Sequence, residues 1–153
     1  MSSSDEEFKK FLTQYVINWG IETGSSWEFA EEGWESEFEE EKEIKRNPDK
    51  STIENLISAF YGEEDPIKGV LILQLYIARQ KGRKEIPPRF ASNALSHIAE
   101  IYNKYKDDKE KLREAIETFL LALKWSYESK VKSVRNMDDF IIKAVSNVYK
   151  RSR

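Results

Sequence analysis

The chain has 153 residues, of which 35% are charged, and a formal net charge of -3 at pH 7. It contains no cysteine, which excludes disulfide bonds, thiolate metal ligands and cysteine nucleophiles. The length suits a single domain, residues 1–153, that buries a core without covalent staples. The Met-Ser-Ser-Ser start leads into acids and no apolar run is long enough to span a bilayer, so we expect a soluble, cytoplasmic protein.

The small net charge conceals a division between the two halves of the chain. Residues 1–66 contain 18 acidic and 6 basic side chains, which gives -12. Residues 67–153 contain 10 acidic and 19 basic side chains, which gives +9. Such asymmetry is a sign of charged partners. It is equally consistent with two halves that neutralise each other within one molecule, or between identical copies.

The first predicted element is an amphipathic helix with Ser4 as its N-cap. The acids of its first turn suit the positive end of the helix dipole, and we expect Gly20 with Gly24 to end the helix. Apolar residues recur at helical spacing and predict that one face packs on a core. These residues are Phe8, Phe11, Leu12, Tyr15, Val16 and Trp19.

Residues 25–46 combine tryptophan with a high density of acids, since nine glutamates lie between positions 28 and 43. Like charges repel along a helix, so we expect the segment to be mobile or peripheral. One interpretation is a peripheral helix that Trp27, Trp34 and Phe38 attach to the core. The other is an acidic aromatic surface that occupies a basic partner. The candidate contact residues of that surface are Trp27, Trp34, Glu35, Glu39 and Glu40.

The strongest helix signals surround the apolar run near position 70. Residues 47–49 break the chain, and Ser51 caps a short helix that Gly62 ends. Asp65 then caps a helix over residues 66–81, for which Pro66 is the first position and Gly82 supplies a left-handed end. Its apolar residues fall on every side, which predicts a central helix that other helices surround. A buried strand here would lack a second strand with which to pair.

Three further helices complete the prediction. One opens at Pro87 and Pro88 and runs to about Lys106, and the next is capped by Asp107 or Asp108 and runs to about Lys130. A final helix begins near Asp138. Its expected inward residues are Phe140, Ile141, Ala144, Val145 and Val148. The sequence therefore predicts an all-α, compact single-domain bundle of about six to seven helices around the central helix 66–81.

The sequence gives little sign of catalytic chemistry. His97 is the single histidine, and its apolar neighbours predict a half-buried polar residue. There is no glycine-rich phosphate loop, no histidine pair for zinc and no nucleophile motif. The acid pairs Asp107-Asp108 and Asp138-Asp139 lie at predicted helix starts, where capping explains them. We therefore expect a protein that is not an enzyme and that needs no cofactor or metal.

Two clusters of cations point to binding. The first surrounds the turn after the central helix and the second surrounds the end of a later long helix. Several cations on one face bind nucleic-acid phosphates, and Trp125 with the tyrosines is suited to stacking on bases. Cations near helix C-termini also stabilise the dipole without any ligand. The candidate nucleic-acid-binding residues are Arg79, Lys81, Arg83, Lys84, Arg89, Lys124, Lys130, Lys132 and Arg135.

The sequence YIARQKGRKEIP at residues 76–87, followed by FLLALKWSYE at residues 119–128, resembles the small helical subunits of type III CRISPR effector complexes. The resemblance covers roughly the second half of the chain. It implies a subunit without catalytic residues that acts in antiviral defence. It also implies that several copies stack along the complex beside guide RNA and target. The interpretation from another class is a protein-only adaptor or inhibitor that uses the acidic aromatic surface.

Overall fold

The computed structural model describes residues 3–27 and 50–152, and within these ranges every regular element is helical. Helices α1 and α2 are joined without interruption by a π-helical turn, and five more helices follow. The elements are α1 (Ser3–Phe11), the π turn (Leu12–Val16), α2 (Ile17–Gly24), α3 (Lys50–Tyr61), α4 (Pro66–Gly82), α5 (Pro88–Tyr105), α6 (Lys109–Ser129) and α7 (Met137–Ser152). The prediction of an all-α bundle is confirmed. The acidic segment falls almost wholly outside the described residues.

Local sequence sets the starts of α4 and α6 as expected. The Asp65 carboxylate accepts a hydrogen bond from Ile67 N at 3.1 Å, and the Asp108 carboxylate accepts one from Lys111 N at 3.2 Å. Each satisfies an amide that the first turn leaves without a helical partner. The predicted left-handed end at Gly82 is wrong, because the backbone takes that conformation at Lys84, where φ is 62°.

The prediction that neighbouring helices surround residues 66–81 on every side is wrong. Helix α4 buries one face, which includes Val70, Leu73 and Ile77. On the opposite face Leu71 is 46% and Leu75 is 67% exposed. Helix α6 takes the central place, because it packs against the π turn, α2, α4 and α5. Its wide buried face consists of Leu112, Ala115, Ile116, Phe119, Leu120, Leu123 and Ser126.

Two glycines allow α2 to lie directly against α6. A Cβ atom at Gly20 would come within 2.6 Å of Ala122 Cβ, and one at Gly24 would come within 2.9 Å of Ser126 Cβ. Real side chains do not approach this closely, so only glycine permits the contact. The Ser126 hydroxyl donates a hydrogen bond of 2.8 Å to Ile21 O across the same contact. Gly24 ends the helix as predicted, whereas the helix continues through Gly20.

The last helix packs on the body along a narrow edge. Phe140 and Ala144 contact a small cluster of buried side chains, Ile21, Val131 and Val134. Ile141 is 50% exposed and Val145 is 48% exposed, so the prediction that both point inward is wrong. A periodic apolar pattern shows that a face is apolar, but it does not show what packs against that face. The side chain of Val148 lies outside the described part of the structure.

Candidate nucleic-acid interface

Short connections place the two cation clusters at the same end of the bundle. Helices α4 and α5 are joined by residues 83–87, and α5 and α6 by residues 106–108. Each connected pair packs together, so successive helices run in opposite directions. The end of α4, the start of α5, the end of α6 and residues 130–135 therefore lie together. We call this region the basic end.

Trp27 makes aromatic contacts that connect two helices at the basic end. Its ring centroid lies 4.6 Å from that of Phe90 and 5.4 Å from that of Tyr127, which connects the start of α5 to the end of α6. Lys132 Nζ lies 3.5 Å from the Trp27 carbonyl oxygen. The ring is only 3% exposed. It therefore belongs to the core, and it presents no surface to a partner.

The remaining residues proposed for the acidic aromatic surface lie outside the described residues. These are Trp34, Glu35, Glu39 and Glu40. Their assignment as partner contacts stays a prediction.

Most of the candidate cations reach solvent. Lys84 and Lys124 are partly buried. The exposed members are Arg79, Lys81, Arg83, Arg89, Lys130, Lys132 and Arg135. Within residues 3–27 and 50–146, no carboxylate lies within ion-pair distance of Lys81, Arg83, Arg89, Lys130 or Arg135. The structure thus gathers the predicted residues on one end and leaves five of them without an ion-pair partner in these ranges.

The charged groups near Tyr76 belong to the end of α4 and to the turn that follows it. Partial burial raises the pKa of the Tyr76 phenol above its ordinary value of 10.0, Arg79 and Arg83 act to lower it, and Glu85 acts to raise it. All three charged groups are therefore close enough to the hydroxyl to act on it. Two cations and one acid therefore influence the Tyr76 phenol.

Ser25 fixes the segment that carries Lys132 and Arg135. Its hydroxyl accepts a hydrogen bond from Val134 N at 3.1 Å, and its carbonyl accepts one from Ser133 N at 2.9 Å. Both bonds tie the end of α2 to the segment between α6 and α7. Sequence reasoning missed Ser25, because a serine after a helix gives no sign of a partner more than a hundred positions away.

His97 lies in a polar contact between helices, where it is half-buried as predicted. Its Nε2 atom is 3.0 Å from Glu22 Oε1, and its ring stacks on Trp19 with centroids 4.8 Å apart. In the described part of the chain, no group of three histidines or acids is arranged to hold a metal ion. Of the acid pairs noted above, Asp108 caps α6 as expected. Asn136 accepts from Asp139 N, and so caps α7.

Comparison with known protein families, curated proteins and solved structures gives no match for this chain. The resemblance to small CRISPR subunits therefore stays a prediction. Among the described helices, none is both long enough and apolar enough to cross a membrane.

Proposed function

We propose that this protein is a non-catalytic binding and assembly subunit that holds the nucleic-acid backbone at its basic end. The observation that carries the proposal is the convergence of two cation clusters, distant in sequence, around the buried ring of Trp27. Phosphate binding needs several cations on one surface, because each contact releases condensed counterions. A rigid helical platform supplies that arrangement with little ordering cost.

The helix dipole accounts for only part of this cluster. Arg79 and Lys81 lie in the last turn of α4, where a cation is stabilised without any ligand. Arg89 lies in the first turn of α5, where the positive end of the dipole disfavours it. Lys132 and Arg135 lie between helices, so no axial dipole explains them. Their common position favours an anionic partner.

Trp125 adds a stacking surface beside the cations. It is 61% exposed and lies in the second-last turn of α6, next to Lys124. Stacking of a base on an exposed aromatic ring is worth about 1–3 kcal/mol. A single strand whose phosphates lie on the basic end would offer unpaired bases to this ring. Single-stranded RNA or DNA is therefore the ligand that the chemistry favours.

The finer proposal is a subunit of an RNA-guided nucleoprotein complex of the CRISPR type. It is supported by the resemblance of residues 76–87 and 119–128 to small helical subunits of such complexes, and by the position of both segments at or near the basic end. In this assignment the neighbouring subunits contact the acidic half of the chain.

The test is charge reversal at the basic end, by Arg79→Glu, Arg83→Glu, Arg89→Glu and Lys130→Glu together. Affinity for single-stranded RNA and DNA is measured by fluorescence anisotropy over a series of salt concentrations. If each cation contacts one phosphate, the slope of log K against log salt falls by about 3, from about 0.7 per lost contact on a single strand. Trp125→Ala should weaken binding with no change in that slope.

The matched control places the same charge change at the other end of the bundle, by Lys68→Glu, Lys104→Glu, Lys106→Glu and Lys109→Glu. These side chains are exposed, so both variants should stay folded, as far-ultraviolet circular dichroism would verify. Equal loss of affinity in the two variants would show that net charge alone drives binding. Unchanged affinity in the basic-end variant would remove the proposal.

A further inference from the structure

Residues with a left-handed backbone are gathered at the basic end. Outside glycine this conformation brings Cβ too close to the backbone, so it is uncommon for lysine and serine. In the described ranges three residues that are not glycine adopt it, namely Lys84 with φ 62°, Lys130 with φ 63° and Ser133 with φ 57°. Lys84 lies between α4 and α5, and the other two follow α6. All three therefore lie at the basic end, although they come from separate connections.

The end of α6 shows that this backbone is not chosen for stability. Lys130 is the C-cap of α6, and its amide donates to Tyr127 O at 3.2 Å. Glycine is the usual residue where a helix ends in the left-handed conformation, because it has no Cβ atom to strain. At the far end, Lys106 caps α5 with φ -61°, which is ordinary right-handed backbone. Of these two lysine caps, only the one at the basic end is strained.

The surrounding structure holds Ser133 in its strained conformation. Val131 and Val134 are buried, whereas Ser133 is exposed. The Ser133 amide donates to Ser25 O at 2.9 Å, and the Ser133 carbonyl accepts from Lys143 Nζ at 3.1 Å. Strained residues persist only where their surroundings fix the backbone in this way, and they cluster at sites that bind ligands. The segment is thus a rigid support for an outward side chain.

The Ser133 hydroxyl has the chemistry of a phosphate ligand. Among the described residues, the hydrogen bonds of Ser133 use its backbone amide and carbonyl. Lys132 and Arg135 lie on either side of it, and both are exposed. A serine hydroxyl donates to phosphate oxygen, and such contacts position the nucleic-acid backbone without reading its sequence. The hydroxyl therefore lies where a strand held by these cations would pass.

We propose that Ser133 contacts phosphate at the basic end, and that the strained backbone at Lys84, Lys130 and Ser133 directs their side chains toward the same strand. This inference rests on the proposed function, because it assigns roles within that site. The strain lowers the stability of the fold, so a role in binding accounts for it where packing does not. Sequence reasoning missed Ser133, because a serine between cations gives no local sign of a left-handed backbone.

The first experiment compares Lys130→Gly with the matched control Lys106→Gly. Each removes an exposed lysine at a helix end. Lys130→Gly should keep the melting temperature or raise it by up to about 4 °C, because the strain is relieved. It should also reduce the slope of log affinity for single-stranded RNA against log salt by about 0.7, the value of one lost contact. Lys106→Gly should not raise the melting temperature and should leave the slope unchanged.

The second experiment replaces Ser133 by glycine and by alanine. Both variants lose the hydroxyl, so both should bind single-stranded RNA about tenfold more weakly, as expected for a lost hydrogen bond to a charged group. Neither changes a charge, so the salt slope should stay that of wild type. Only glycine relieves the backbone, so Ser133→Gly should melt at a higher temperature than Ser133→Ala.

The outcomes distinguish this inference from the proposed function. If charge reversal at the basic end abolishes binding while both Ser133 variants bind as tightly as wild type, Ser133 contacts no phosphate, and only this inference is wrong. If wild type binds neither single-stranded RNA nor single-stranded DNA, the proposed function is wrong as well. Equal melting temperatures for Ser133→Gly and Ser133→Ala, or a lower melting temperature for Lys130→Gly than for wild type, would refute the argument from strain.

Discussion

The two ends of the helical bundle use their charges in different ways. At the end opposite the basic end, acids cap α4 and α6, and nearby lysines form ion pairs. Lys109 Nζ lies 3.5 Å from Asp65, and Lys68 Nζ lies 3.3 Å from Glu63. At the basic end, five cations lack such a partner among the described residues. Ion pairing therefore distinguishes the balanced surface at the far end from the basic end, which attracts an anion.

Each end also has aromatic contacts that connect separate elements of the chain. At the far end, the ring of Phe8 meets that of Tyr105 edge-on at 5.1 Å, and Lys111 Nζ lies 5.8 Å from the Phe8 ring centroid. At the basic end, Trp27 joins Phe90 to Tyr127. Phe8 and Trp27 both stabilise packing between helices, but only Trp27 lies at the candidate interface. Substitution of Phe8 and of Trp27 therefore distinguishes an effect on stability from an effect on nucleic-acid affinity.

The largest expected effect is that of Trp27→Ala. The ring is buried where α5 and α6 meet, so its loss should lower the free energy of unfolding by about 3–5 kcal/mol. Nucleic-acid affinity should fall as well, because the start of α5 and the end of α6 lose their common support. Urea denaturation and anisotropy titration measure the two quantities.

Phe8→Ala is the matched variant at the far end. It should also destabilise the protein, yet leave affinity unchanged at temperatures where the protein is folded. If Phe8→Ala weakened binding as much as Trp27→Ala does, the distinction between the two ends would be wrong.

A smaller effect is expected at the contact between α2 and α6. Gly24→Ala forces a Cβ atom against the Leu123 carbonyl oxygen and Ser126 Cβ, and overpacking of this kind costs about 1–3 kcal/mol. Gly82→Ala is the control, because a Cβ atom there meets nothing within 4 Å. Since alanine favours helix over glycine, Gly82→Ala should be neutral or stabilising by up to about 1 kcal/mol. Thermal denaturation compares the two, and equal melting temperatures would contradict the close-packing argument.

The smallest effects concern tyrosine ionisation. Burial raises the pKa of both Tyr76 and Tyr105, but Arg79 and Arg83 oppose the rise at Tyr76, whereas Glu7 and Asp108 add to it at Tyr105. Arg83→Gln should therefore raise the pKa of Tyr76 further, and Glu7→Gln should lower that of Tyr105. Nuclear magnetic resonance of labelled tyrosine rings follows each titration. Shifts of the same sign would contradict the opposite charge environments of the two ends.

The same pKa directions determine how stability depends on alkaline pH. Above the ordinary tyrosine pKa of 10.0, the native state retains protons that the unfolded state has lost. Stability is therefore unaffected by these groups below that pH and falls as pH rises through the folded-state pKa. Tyr76→Phe should reduce the fall in stability measured by urea denaturation at alkaline pH, and an unchanged fall would argue against a buried phenol.

Local sequence determined the helices in the described ranges and several of their ends. Asp65, Pro66 and Asp108 mark helix starts through hydrogen-bond chemistry that acts within one turn, so no distant residue is needed to recognise them. The same applies to the all-α class, because helical periodicity is a local property. The two cation clusters were visible for the same reason.

Only the tertiary structure decided which helix is central and which apolar faces stay exposed. Periodicity shows that a face is apolar, but it does not show what lies opposite. The side chains of Leu75 on α4 and Ile141 on α7 are therefore exposed to solvent. Gly20 was predicted to stop a helix, whereas it allows α2 to approach α6. The basic end also depends on tertiary packing, because it joins residues far apart in sequence through antiparallel helices and the buried ring of Trp27.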